Sequence, residues 1–144
     1  VQTHRDPLKV LPSCASLTQV LRAPFTNRLQ REGIVGEVTR RWEGSVRLAL
    51  ELRRSNQGVG ERFFDVRYPD LMRDPMAVVR GLYRHFNRHL TDEADAAMQR
   101  FVTANPKNKH GVHSYTLEEF GLDRETERRR FQFYTEEYGI EPEP

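Results

Sequence analysis

Val1-Gln2-Thr3-His4-Arg5-Asp6-Pro7-Leu8-Lys9-Val10-Leu11-Pro12-Ser13 decides the fold, because the chain changes structural type in the middle of it. Residues 1–4 read as the end of a strand. Asp6-Pro7 follows at once as a helix N-cap and first helical residue: the Asp carboxylate can accept an orphan N–H, and proline's fixed φ suits a position that needs no donor. Leu8, Leu11, Ala15, Leu17, Val20 and Leu21 then recur at helical spacing until Pro24 ends the run. Pro12 lacks a backbone donor, so it is expected to kink the first turns or to start the regular helix later than Asp6 suggests. A strand that opens the chain is expected to have its sheet neighbours elsewhere, so the sequence reads as a fragment from the middle of a fold.

Further along, Ile34, Val38, Trp42, Val46 and Ala49 or Leu50 form a stripe at steps of about four, flanked by charge, which predicts a long amphipathic helix. Arg62-Phe63-Phe64-Asp65-Val66-Arg67-Tyr68 is the best strand, with Phe64, Val66 and Tyr68 on one face. Asp74-Pro75 repeats the cap signature and opens a helix through Phe86, and Thr91 is expected to cap the next, which stops at Asn105-Pro106. A loop follows over 106–115. Thr116-x-x-Glu119 has the form of a capping box on a short helix that Gly121 ends, and Asp123 caps a last helix running to Gly139, with Phe131, Tyr134 and Tyr138 inward. Residues 139–144 are expected to fray. The 144 residues are therefore expected to form a single incomplete domain.

Composition sets the class. With 37% apolar and 31% charged residues the chain can bury one core. No apolar run approaches the roughly 20 residues of a membrane-spanning helix, and no leader pattern opens the chain, so a cytoplasmic location is expected. The one cysteine, Cys14, reads as a small buried residue. A formal net charge of +2 is too balanced for a dedicated nucleic-acid binder, but the charge is uneven. Residues 1–60 carry ten Lys or Arg against five Asp or Glu, so the positive half is expected to face an anion.

Several motifs fail on context. Gly58-x-Gly60 precedes a strand, whereas a dinucleotide loop follows one. No Walker-type loop and no Gly-x-Ser-x-Gly elbow occurs. His85 and His89 have zinc-ligand spacing, but Phe86 stands where the metalloprotease pattern needs its Glu base, so no metal is implied. Arg124, Arg128, Arg129 and Arg130 interleave with Glu125 and Glu127 as a solvated helix face. Arg5 differs, since it stands at a strand-to-helix junction with the Ser13 hydroxyl eight residues on. A helix N-terminus and an arginine together suit a phosphate. Pairing of Arg5 with Asp6 or another carboxylate is the competing reading.

At these residues the sequence resembles the sulfotransferase family, most closely its bacterial, mycobacterial-like branch, with this chain as the C-terminal portion. Arg5 and Ser13 resemble the family's 3′-phosphate-binding motif. Asp65-Val66-Arg67-Tyr68-Pro69-Asp70-Leu71, followed by Asp74-Pro75, resembles its Tyr-x-Asp-Leu segment, whose Tyr contacts the adenine; Tyr68 takes that position. Lys107-Asn108-Lys109-His110-Gly111 occupies the place of the family's basic loop, with Lys109-His110-Gly111 where Arg-Lys-Gly is commoner. The resemblance implies an α/β fold, the C-terminal portion of a P-loop-like parallel sheet flanked by helices and mostly helical here. It implies an enzyme that moves a sulfuryl group from 3′-phosphoadenosine-5′-phosphosulfate (PAPS) to an acceptor hydroxyl or amine, releasing adenosine 3′,5′-bisphosphate. Arg5, Ser13, Tyr68, Lys107, Lys109, His110 and Gly111 are the implied nucleotide-binding residues. The phosphosulfate loop and the catalytic base of the family lie upstream of this portion. No residue is therefore assigned as catalytic, and the chain alone is expected to be inactive and to self-associate. The first rival is an Arg-rich helical interaction module that binds a protein or nucleic acid, and the second is another nucleotide-dependent phosphotransferase of related architecture.

Overall fold

A computed structural model describes residues 1–26, 30–55, 58–106 and 115–143. The architecture is α/β and mostly helical. Its elements are β1 (Gln2–His4), α1 (Pro7–Arg22), α2 (Arg31–Ser55), β2 (Asp65–Arg67), α3 (Tyr68–Arg73), α4 (Pro75–His85), α5 (Asp92–Ala104) and α6 (Arg124–Tyr138). Short 3₁₀ turns occupy Ala23–Phe25, Gly60–Arg62 and Glu118–Phe120. The chain forms two compact units, one of Val1–His4 with Gly58–His113 and the other of Arg5–Gln57 with Ser114–Pro144.

In the first unit β1 and β2 pair in parallel, with Gln2 opposite Asp65, Thr3 opposite Val66 and His4 opposite Arg67. A parallel pair needs a crossover, and here the connection is long enough to contain α1 and α2. The expected strand over 62–68 is shortened at both ends. Arg62 closes a 3₁₀ turn. Tyr68 is already helical because Pro69, at the second helical position, cannot donate to a ladder but fits a first turn. Val66 is the buried residue of β2. Phe64 packs on α4 where Gly81 leaves room, since a Cβ there would stand 3.2 Å from the ring. Asp74 and Thr91 cap α4 and α5 by accepting from the N–H groups of Ala77 and Ala94 at 2.8 and 3.2 Å. Arg80 of α4 grips Asp95 of α5 through two hydrogen bonds of 2.6 and 2.8 Å. α4 ends at His85, so His89 lies past the helix and the two histidines do not share a helical face.

The second unit is a helical layer of α1, α2 and α6. Leu8, Leu11, Pro12 and Ala15 are the buried face of α1. The helix starts at Pro7 and runs through Pro12, so the later start allowed for at the sequence level does not occur. Ile34, Val35, Thr39 and Leu50 are buried on α2, and the Trp42 ring meets Phe131 and Tyr134 of α6 edge-on, each at 5.9 Å between centroids. Phe131 and Tyr134 are almost fully enclosed. The capping box forms in both directions: the Thr116 N–H donates to Glu119 at 3.1 Å and the Glu119 N–H to the Thr116 hydroxyl at 3.2 Å. It heads a single 3₁₀ turn, which Gly121 ends in the left-handed conformation at φ 67°. Asp123 caps α6 and Gly139 ends it, also left-handed.

Among the described residues, no helix is long and apolar enough to cross a membrane.

Candidate functional site

His4, the last residue of β1, is buried, and its Nε2 lies 2.8 Å from the Asp65 carboxylate at the start of β2. The two ends of the strand pair are thus tied by a polar contact as well as by the ladder.

Arg5 follows immediately. Its guanidinium holds the Glu143 carboxylate at two points, Nε donating at 2.9 and 3.1 Å and Nη2 at 2.8 Å. Of the two readings the sequence leaves open for Arg5, an anion or a carboxylate partner, the structure displays a carboxylate, and it is Glu143 rather than Asp6. The geometry is the fork with which a guanidinium takes any planar or tetrahedral oxyanion. The Arg5 side chain is 37% exposed and that of Glu143 19%, so the contact lies at the edge of solvent.

The N-terminus of α1 offers no amide to an outside anion. Pro7 has no N–H, the Leu8 N–H donates to the Asp6 carboxylate at 2.9 Å, and those of Lys9 and Val10 donate to the Asp6 carbonyl at 3.0 and 3.2 Å. A buried Asp6 therefore fills the place a phosphate takes at an open helix end. Its other carboxylate oxygen accepts the Glu143 N–H at 2.9 Å. With these amides engaged, the guanidinium of Arg5 is the donor group that the junction presents toward solvent. Ser13 is exposed on the second turn of α1. Burial pushes the neighbouring Cys14 thiol up, which makes it a poor nucleophile.

Beside this junction a groove of about 380 Å³ has Leu8, Phe131, Ile140 and Pro142 among its walls, with Arg128 and Arg129 on α6. In the other unit Tyr68 is half-buried at the first position of α3. Lys107, Lys109, His110 and Gly111 lie outside the described residues. Sequence reasoning missed Glu143 and Asp65 as partners. Neither carries a local signal, since each contact joins residues far apart in the chain, 138 and 61 positions respectively.

The arginines that suggest an interaction module are largely engaged within the chain. Arg22 and Arg41 pair with Glu37, Arg47 with Glu43, Arg54 with Glu137, Arg73 with Asp70 and Arg128 with Glu125. A surface built for a polyanion keeps its cations uncompensated. No group of His, Cys, Asp and Glu suited to a metal ion occurs among the described residues.

The model of the sulfotransferase family matches residues 1–93, a span that includes Arg5, Ser13 and Tyr68. Two solved structures are similar. One is the crystal structure of sulfotransferase STF9 from Mycobacterium avium, 29% identical with a TM-score of 0.84 over 96% of this chain and 35% of that one. The other is the crystal structure of sulfotransferase STF1 from Mycobacterium tuberculosis H37Rv, 29% identical with a TM-score of 0.71 over 89% of this chain and 31% of that one. The chain spans roughly a third of the length of either structure. No curated protein matches it.

Proposed function

The chain belongs to the sulfotransferase family, and from that premise we propose that it supplies 3′-phosphate and adenine recognition for PAPS-dependent sulfuryl transfer to an acceptor hydroxyl or amine. Arg5 and Ser13 hold the 3′-phosphate, with Lys107, Lys109, His110 and Gly111 as a second contact to it, and Tyr68 meets the adenine. The observation that carries this reading is Arg5: an arginine at a strand-to-helix junction, inside the family match, already gripping an oxyanion at two points at the edge of solvent.

The chemistry these residues contribute is binding and orientation. Holding the 3′-phosphate fixes the nucleotide, and so the direction in which the sulfuryl group faces its acceptor. Sulfuryl transfer also needs a base for the acceptor proton and donors for the leaving 5′-phosphate. No residue of this chain is proposed for either role, and the chain by itself is proposed to be inactive.

The test is titration calorimetry on the polypeptide that carries this chain. Adenosine 3′,5′-bisphosphate is expected to bind about 10- to 100-fold more tightly than adenosine 5′-monophosphate, the value of a hydrogen-bonded charge. Arg5→Ala is expected to erase most of that advantage and to leave the monophosphate unchanged. Equal affinity of the unmodified protein for the two nucleotides would sink the reading. Equal loss for both in Arg5→Ala would make Arg5 structural.

A further inference from the structure

Glu143 takes the Nε and Nη2 edge of Arg5, and a guanidinium edge accommodates one two-point anion at a time. Whatever Arg5 is to hold through that edge must first displace Glu143. We propose that Glu143 is an internal competitor that sets the selectivity of the Arg5 site, admitting a doubly charged phosphate monoester and turning away singly charged anions. The proposal rests on the reading of Arg5 as a 3′-phosphate contact and names what decides which anions it accepts.

Three observations carry it. The first is charge. The Glu143 carboxylate is bonded to the Arg5 guanidinium, and the Asp6 carboxylate accepts the Glu143 N–H beside it. A single negative charge that replaced Glu143 would exchange like for like. A phosphate monoester brings a charge of about −1.5 to −2 at neutral pH and three acceptor oxygens, so it gains where a monoanion does not.

The second observation is how the competitor is held. The Glu143 backbone N–H, donating to the Asp6 carboxylate, keeps Glu143 beside Arg5, while Ile140 and Pro142 line the groove next to Leu8 and Phe131. A tethered carboxylate acts at high effective concentration, so free monoanions in solution compete poorly with it. The third is exposure. A pair that is 37% and 19% exposed exchanges partners more readily than a buried one, whose separation strands a desolvated charge.

Affinities of the two nucleotides in the unmodified protein, Glu143→Gln, and Arg5→Ala combined with Glu143→Gln test the proposal. Glu143→Gln is expected to tighten adenosine 3′,5′-bisphosphate about tenfold and to leave adenosine 5′-monophosphate unchanged. The double variant is expected to show no gain. Below about pH 6, where the 3′-phosphate falls to a single charge, its advantage over the monophosphate should collapse in the unmodified protein and persist in Glu143→Gln. A second readout needs no substitution: bisphosphate, but not monophosphate, should shift the NMR resonance of the Glu143 side-chain carboxylate as it leaves Arg5. An unshifted Glu143 carboxylate resonance on bisphosphate binding overturns the competitor. So does an equal or weaker bisphosphate affinity in Glu143→Gln, and if Arg5→Ala still erases the 3′-phosphate advantage, the donor-binding reading survives with Glu143 as a positioning residue. Loss of any 3′-phosphate preference in both the unmodified protein and Glu143→Gln would refute the donor-binding reading and this proposal with it.

Discussion

Asp6 divides its carboxylate between two donors, the Leu8 N–H at the head of α1 and the Glu143 N–H of the C-terminal segment, both at 2.9 Å. Asn and Ala should therefore fail by different amounts. Asn caps helices about as well as Asp, so Asp6→Asn keeps the bond to Leu8 with its one carbonyl oxygen. The other oxygen becomes an NH₂ group facing the Glu143 N–H, two donors with no acceptor between them. The loss is one hydrogen bond to a charged acceptor, about 1.5–3 kcal/mol. Asp6→Ala loses that bond and the cap, which adds about 1 kcal/mol. Because Asp6 is only 5% exposed, water cannot fully replace either partner. The expected order in urea unfolding, at constant slope, is unmodified protein, then Asp6→Asn, then Asp6→Ala, with the last two separated by about 1 kcal/mol. If Asp6→Asn matched the unmodified protein, the contact to Glu143 would contribute nothing. If it matched Asp6→Ala, the assumption that Asn preserves the cap would be wrong.

Phe131 is fully enclosed against Trp42, and Phe131→Ala is expected to cost about 3–5 kcal/mol, read as a lowered denaturation midpoint with the helical signal intact before the transition. Burial raises the Glu127 carboxyl above the usual range, against the opposing pull of Arg130. A raised acid favours the folded state while it is protonated, and that contribution fades as pH climbs through the folded value. Glu127→Gln, which cannot ionise, should therefore gain stability relative to the unmodified protein as pH rises above the ordinary carboxyl range, and a pH-independent difference in melting temperature would refute this. Tyr68→Ala in the polypeptide that carries this chain is expected to weaken adenosine 3′,5′-bisphosphate by about 1–3 kcal/mol, the scale of base–aromatic stacking. Normal nucleotide affinity in a destabilised Tyr68→Ala variant would mark Tyr68 as a packing residue.

Helix ends were legible wherever the chemistry is local. Asp6, Asp74, Thr91 and Asp123 all cap as read, and Gly121 and Gly139 both stop their turns in the left-handed conformation, because a cap needs only residues within a turn of each other. The strand over 62–68 was overestimated for the opposite reason. β propensity marks residues that suit a pleated surface, but the length of a strand is set by its partner, and β1 offers three residues. At the candidate site, the position of Arg5 was legible from the strand-to-helix change around it. Its partner was not, since nothing in residues 141–144 announces a contact with the opening of α1.

The pairing of β1 with β2 also bears on how the chain comes together in time. Their tie between His4 and Asp65 closes a loop of 61 positions, which costs on the order of 3–4 kcal/mol of chain entropy before any ladder bond compensates. α4 and α5 are joined by a short connection and meet at little such cost. Helical pairs of this kind can therefore assemble early, whereas three-residue parallel strands gain too few bonds to nucleate alone. The sheet is therefore expected to form late on the folding route, with Arg5, which directly follows β1, placed only after that closure, an order that pulse-labelled hydrogen exchange at Thr3 and Val66 would read.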